Sequence, residues 1–221
     1  MRSSIAPHTN SLQRKGRAMT ARRSSTRPYY IGLSEEYSIT PTDNSMWFWR
    51  RVVFASKEDI GAPQGASTQM GTESAVNSAI STRPMRDLSG NNTSINYGQI
   101  YTDLVGDLFE GIYTTDWTNP LRAKVDRRLV TVLSDRLRTI TSHNDVARPA
   151  IIKTYVPIKK TVEYQDEENG LNISSYPISV TSKPGIGNIY VVDFFACPRP
   201  AGGDTSTIAI SSQSTLYWHE K

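Results

Sequence analysis

Hydrophobic and polar positions alternate with a period of two over most of the chain from Tyr29 onward. The clearest case is the segment from Ile152 to Tyr164. There Ile152, Thr154, Val156, Ile158, Val162 and Tyr164 fall against Lys153, Tyr155, Lys159 and Thr161. A period of two buries one face of a strand and leaves the other polar. Pro157 lacks an N–H, so it predicts an edge position or a bulge. Tyr29–Ile39, Met46–Ala55, Tyr176–Thr181, Ile189–Cys197 and Ile208–His219 read as further strands, rich in aromatic and β-branched residues. Arg127–Leu133 and Arg136–Thr141 read as two strand segments with a bulge or kink at Ser134-Asp135. Gln165–Gly170 and Lys183–Gly187 read as turns.

One segment changes period. Ile100, Leu104 and Leu108 stand at i, i+4 and i+8. Asn96 and Gln99 have capping-box spacing before them, and Gly111 is a stop. This predicts a short helix over 97–109, lying between strands, with its apolar face covering the core. The stretch from Lys57 to Asn96 is poor in apolar residues and reads as a long excursion between strands. The elements together predict an all-β domain of about eight strands with long inter-strand loops and one short helix.

Charge adds a second part to the chain. Arg2, Arg14, Lys15, Arg17, Arg22, Arg23 and Arg27 all precede Glu35, the first acid. The whole chain has 25 basic and 21 acidic residues, so without those seven cations it holds 18 against 21. The pattern divides the chain into a basic N-terminal arm, 1–28, and a body, 29–221. The arm has too little apolar surface to offset chain entropy, so it is expected to be disordered until bound or packed on a neighbour. Cations grouped this way suit a polyanion, and phosphate first of all, because counterion release needs no sequence code. The clusters Arg14–Arg17 and Arg22–Arg27 also fit a nuclear import signal, which would bring in an import receptor.

The residues argue against catalysis. Gly185-x-Gly187 lacks a third glycine and sits between strands, so it reads as a turn. Ser142, His143 and Asp145 are neighbours on one segment, whereas triads assemble across a fold. His8, His143 and His219 are too scattered for a metal cluster, and Cys197 ends an apolar strand as a packed thiol. Asp166, Glu167 and Glu168 read as a solvated turn. No metal and no cofactor is expected. The start shows no apolar signal-like run, and no stretch has the length of a membrane span. A single cysteine suits a reducing compartment, where the sequons at Asn91, Asn92 and Asn172 carry no glycan.

Aromatic residues beside arginines are the remaining candidates. Tyr29 and Tyr30 follow the arm, and Trp47-Phe48-Trp49 runs into Arg50-Arg51. Unpaired bases stack on such rings without sequence preference. Alternation places Trp47, Trp49 and Arg51 on one face, by default the core, and Phe48 and Arg50 on the other. One of the two arginines is therefore expected to face a ligand or a subunit interface. The candidate nucleic-acid-binding residues are Arg14, Lys15, Arg17, Arg22, Arg23, Arg27, Tyr29, Tyr30, Arg50 and Arg51.

Four pieces of sequence carry a family resemblance: Thr215–Lys221 (TLYWHEK), Trp47–Lys57 (WFWRRVVFASK), Thr115–Trp117 (TDW) and the Ile189–Phe195 strand after Gly187. Their order and spacing resemble those of genomovirus capsid proteins, from small circular single-stranded DNA viruses related to geminiviruses. The resemblance runs from about Tyr29 to Lys221. It implies an eight-stranded jelly-roll β-sandwich and a homo-oligomer of sixty copies in a T = 1 icosahedral shell. It also implies single-stranded DNA packaged with the help of the arm, and residence in the virion and the host nucleus. Two alternatives use the same residues. A monomeric single-stranded nucleic-acid-binding β-barrel module would share the arm and the aromatics. A carbohydrate-binding jelly roll would use Trp47, Trp117 or Trp218 as platforms and would have no use for an acid-free arm.

Overall fold

A computed structural model describes residues 2–8, 25–58, 74–77, 80–82, 86–88, 97–141, 149–169, 172–180, 184–198 and 206–220. In chain order the elements are β1 (Arg2–His8), β2 (Tyr29–Pro41), β3 (Trp47–Ser56), β4 (Ser74–Asn77), β5 (Ile80–Thr82), β6 (Arg86–Asp87), α1 (Tyr97–Leu108), β7 (Thr131–Ile140), β8 (Ala150–Thr161), β9 (Tyr164–Asn169), β10 (Asn172–Ser179), β11 (Asn188–Ala196) and β12 (Ile208–His219). Two antiparallel sheets form the body. The larger has the order β6-β1-β11-β3-β7 and the smaller β12-β2-β8, while β9-β10 and β4-β5 are separate ribbons.

The two sheets are built on six long strands rather than the eight expected. The segments Arg127–Leu133 and Arg136–Thr141 account for part of the difference. They contribute one strand, β7, whose register against β3 shifts between Val53 and Phe54, opposite Ser134 and Val132. The Gln165–Gly170 stretch is a second correction. Residues 164–169 are strand β9, paired with β10 from Asn169↔Asn172 to Ser175↔Asp166, so the reversal falls after Asn169. A third concerns the arm. Residues 2–8, expected to be unstructured, pair along β11 from Arg2↔Phe195 to His8↔Ile189. The β11 edge has open backbone donors and acceptors without them, and a strand closes it whatever its composition.

The larger sheet is buried on both faces. One face of β3 carries Trp47, Trp49, Val53 and Ala55 toward the smaller sheet, where they pack on Tyr30, Leu33, Tyr37, Ile39, Val156 and Ile158. The other face carries Val52 and Phe54, joined by Tyr190, Val192 and Phe194 of β11. Helix α1 covers that second face with Ile100, Leu104, Val105 and Leu108, all fully buried. A sheet covered on both sides needs continuous apolar runs, which is why VVFA and IYVVDFF lack alternation. The smaller sheet has one wet face and keeps it.

Pro157 lies on β8, an edge strand, opposite Gly32 beside a register shift in β2. Both settings suit its missing N–H. Gly187 has φ +89°, and a Cβ there would lie 2.1 Å from the Ser56 carbonyl oxygen. The turn into β11 therefore runs directly against the end of β3, and only glycine fits.

Candidate nucleic-acid interface

The arm joins the sandwich through backbone bonds. Val162 N–H donates to the Pro28 carbonyl (3.1 Å) and Tyr164 N–H to the Thr26 carbonyl (2.9 Å). These extend the β2–β8 ladder beyond β2 and fix where the arm starts. Arg27 stands at this root with 59% of its side chain exposed, 3.4 Å from the Glu163 carboxylate. Tyr29 is the exposed ring beside it. Arg14, Lys15, Arg17, Arg22 and Arg23 lie outside the described residues.

The remaining three candidates belong to the interior. Tyr30 is buried, its hydroxyl 2.7 Å from that of Tyr164. Arg50, expected as a possible surface contact, is 6% exposed. Its Nε and Nη2 donate to both oxygens of Asp135 (2.9 and 2.7 Å). Its Nη1 donates to the carbonyls of Pro120 (2.6 Å) and Ala123 (2.7 Å), and its guanidinium lies 5.2 Å from the Phe109 ring centre. Arg50 thus pins the loop after α1 onto the larger sheet. A planar fork with all of its faces engaged has nothing left for a phosphate.

Arg51 points the opposite way, between the sheets, and is also buried. It ion-pairs with Glu35 of β2 and lies 3.7 Å from Asp193 of β11. Its guanidinium stacks 4.5 Å over the Tyr37 ring centre. Tyr37 donates to Glu35 (3.1 Å), and the Trp49 indole donates to Asp193 (2.7 Å). Burial alone would lower the Arg51 pKa, but Asp193, Tyr37 and Glu35 hold it above its ordinary value. Burial, reinforced by Asp193, pushes the Tyr37 hydroxyl up, so it stays a neutral donor. The expectation that one of the two arginines faces outward is therefore corrected for both. Alternation predicted the face of each residue, but not that α1 and its loop would cover the second face.

The same loop explains TDW. Asp116 accepts from Ile112 N–H (2.6 Å), Thr114 N–H donates to the Trp117 carbonyl (2.8 Å), and the Trp117 ring meets Phe109 edge-on. These residues build a turn and plug it. Trp47 is buried in the inter-sheet core and Trp117 is packed on the α1 core, so neither forms an open sugar platform. Among the described residues no cluster of His, Cys, Asp or Glu could hold a metal ion, and no helix is long and apolar enough to cross a membrane. Side chains of Asp166, Glu167 and Glu168 lie outside the described residues. Cys197 is half-buried against the Trp47 core.

Sequence reasoning missed two arginines. Arg136 and Arg138 of β7 share the inner face of the larger sheet with Arg51 and Trp49, in register Arg51↔Arg136 and Trp49↔Arg138. They line a cleft with Ser134, Thr154 and Val156. The signal was their i, i+2 spacing in a segment read only for its strand propensity. No protein-family model matches this chain, nor does any curated protein sequence.

Proposed function

We propose that this chain is a capsid subunit that assembles into a T = 1 icosahedral shell and packages circular single-stranded DNA through its basic arm. The observation that carries this reading is the segregation of charge. Seven cations precede the first acid, and the described arginines closest to them along the fold, Arg50 and Arg51, are consumed inside the body. The sandwich is inert, and its tail is left to meet a polyanion.

Strand pairing supports a jelly roll. The first long strand pairs with the last, β2 with β12, and the second with the penultimate, β3 with β11. Such nesting is that of a folded ribbon, the basis of the jelly roll, in which further strands complete eight. Exposed apolar side chains support assembly. Ile112, Leu129, Leu137 and Ile151 are each at least half exposed, and Leu137 adjoins Phe48, Leu121 and Cys197 in an open groove. Apolar surface of that kind marks contacts between proteins. Arg14, Lys15, Arg17, Arg22, Arg23 and Arg27 would neutralise phosphates, with Tyr29 at the arm's root.

Negative-stain microscopy of the purified protein, with its 260/280 nm absorbance ratio before and after nuclease, tests the proposal. Uniform closed shells with nuclease-protected nucleic acid are the expected result. A monodisperse monomer at every salt and pH would replace this reading with the single-domain binding module.

A further inference from the structure

The open edge of the sandwich, between β7 and β8, carries cations without acids. Arg51 and Arg136 stand directly opposite each other on neighbouring strands, and Arg138 is two residues along β7. Like charges placed opposite each other in an antiparallel pair destabilise it. Arg51 has Glu35 and Asp193 beside it. Among the described residues, no carboxylate pairs with Arg136 or Arg138. Counting Glu35 and Asp193 against the three arginines leaves one positive charge in excess.

The polar atoms at the cleft are also unspent. Arg51 is 5% exposed, yet its Nε and Nη1 have no hydrogen-bond partner, and neither does the buried Thr154 Oγ1. Buried donors left unpaired cost roughly 1–3 kcal/mol each. Arg51, Arg136, Arg138, Ser134 and Thr154 line one cleft of about 310 Å³, counting the solvent at its mouth. Two exposed forks at the mouth and one buried fork with a hydroxyl behind them suit a tetrahedral oxyanion entering oxygen first. Guanidinium groups match phosphate oxygens in geometry as well as charge.

We propose that Arg51, Arg136 and Arg138, with Thr154, form a binding site for a phosphate-class oxyanion at the open edge of the sandwich. This site is separate from the arm, and it stands whether or not the chain forms shells. Its occupant is either a free inorganic anion or one phosphate of a nucleic-acid backbone.

The test titrates inorganic phosphate into the full-length protein against chloride at matched ionic strength and pH, following Trp49 fluorescence and the melting temperature. Saturable binding is expected in the unaltered protein. It should weaken at least about tenfold in R136Q/R138Q, which loses two charge-assisted contacts at exposed or half-exposed positions. The R136K/R138K protein keeps the charge without the fork and should fall between. A response without saturation in the unaltered protein overturns the site even if neither variant folds, and so do superimposable titrations of unaltered and R136Q/R138Q proteins. A short oligothymidylate separates the two sources. If R136Q/R138Q flattens the salt dependence of its binding by about 1.4 log units per log unit of salt, the occupant is a backbone phosphate. If phosphate binding is lost and that slope is unchanged, the occupant is a free anion. Neither result bears on shell formation, which microscopy reads independently.

Discussion

Arg51 on β3 and Glu35 on β2 form an ion pair across the interior, joining the two sheets at a point where both side chains are almost fully buried. Asp193 stands on the far side of the guanidinium, so the arginine balances two carboxylates. Removing it leaves those charges in a medium that solvates them poorly. Arg51→Met should therefore destabilise the protein by about 3–5 kcal/mol. The check is the urea midpoint, which should drop without a change in slope. A loss under about 1 kcal/mol would mean that water reaches the pair and that the sheets are less closely packed than described.

Asp126 sets one limb of the pH dependence. Arg128 donates to its carboxylate from the side chain (3.0 and 2.7 Å) and from the backbone N–H (2.9 Å). These bonds hold the pKa down to about 2 from 3.8. The unfolded chain then takes up the proton first as pH falls. The contribution of Asp126 is complete above roughly pH 4 and is lost as pH drops toward about 2. Unaltered protein should be more stable than Asp126→Asn at neutral pH, and the gap should narrow across that window. A gap that stays constant from pH 5 to about 2 would refute the assignment.

Two glycines make opposite predictions. Gly187 occupies a left-handed conformation with no room for a Cβ, so Gly187→Ala should cost at least about 1–3 kcal/mol. Gly106 lies in α1 with open space around its Cα, and Gly106→Ala should add about 0.5–1 kcal/mol. Thermal melting of both variants beside the unaltered protein checks the pair. Helical spacing alone gives the second result, while the first depends on the approach of the turn to Ser56.

The strands and the helix were legible because their signals are local. Tyr29–Ile39 and Ile208–His219 appear in their predicted places, and α1 spans Tyr97–Leu108 against an expected 97–109. What escaped the sequence depended on distant cover. Arg50 sits on the face away from the smaller sheet, so alternation alone marked it as accessible. It is buried because the loop at Pro120–Ala123, some 70 residues later, folds over it. The β9 segment was read as a turn because QDEEN is polar. Its pairing with β10 makes it a strand through backbone bonds, which composition does not report. Arg136 and Arg138 became conspicuous only when the register placed them opposite Arg51 and Trp49.

The burial of Arg50 separates two roles that the sequence confounded. If the arm holds the nucleic acid, replacing Arg14, Lys15, Arg17, Arg22, Arg23 and Arg27 with Gln should flatten the salt dependence of oligothymidylate binding by about 4 log units per log unit of salt. Melting temperature should hardly change, because those side chains contribute little to the core. Arg50→Gln should do the reverse. It strips Asp135 of its bidentate partner and leaves the Pro120 and Ala123 carbonyls unpaired. A loss of about 2–3 kcal/mol is expected, with the salt slope unchanged. Filter binding across a salt series, paired with melting curves for both variants, reads the two effects on separate axes. A reduced slope in Arg50→Gln, at temperatures where it remains folded, would return that residue to the interface and would mean that the Pro120–Ala123 loop lifts off the sheet when DNA binds.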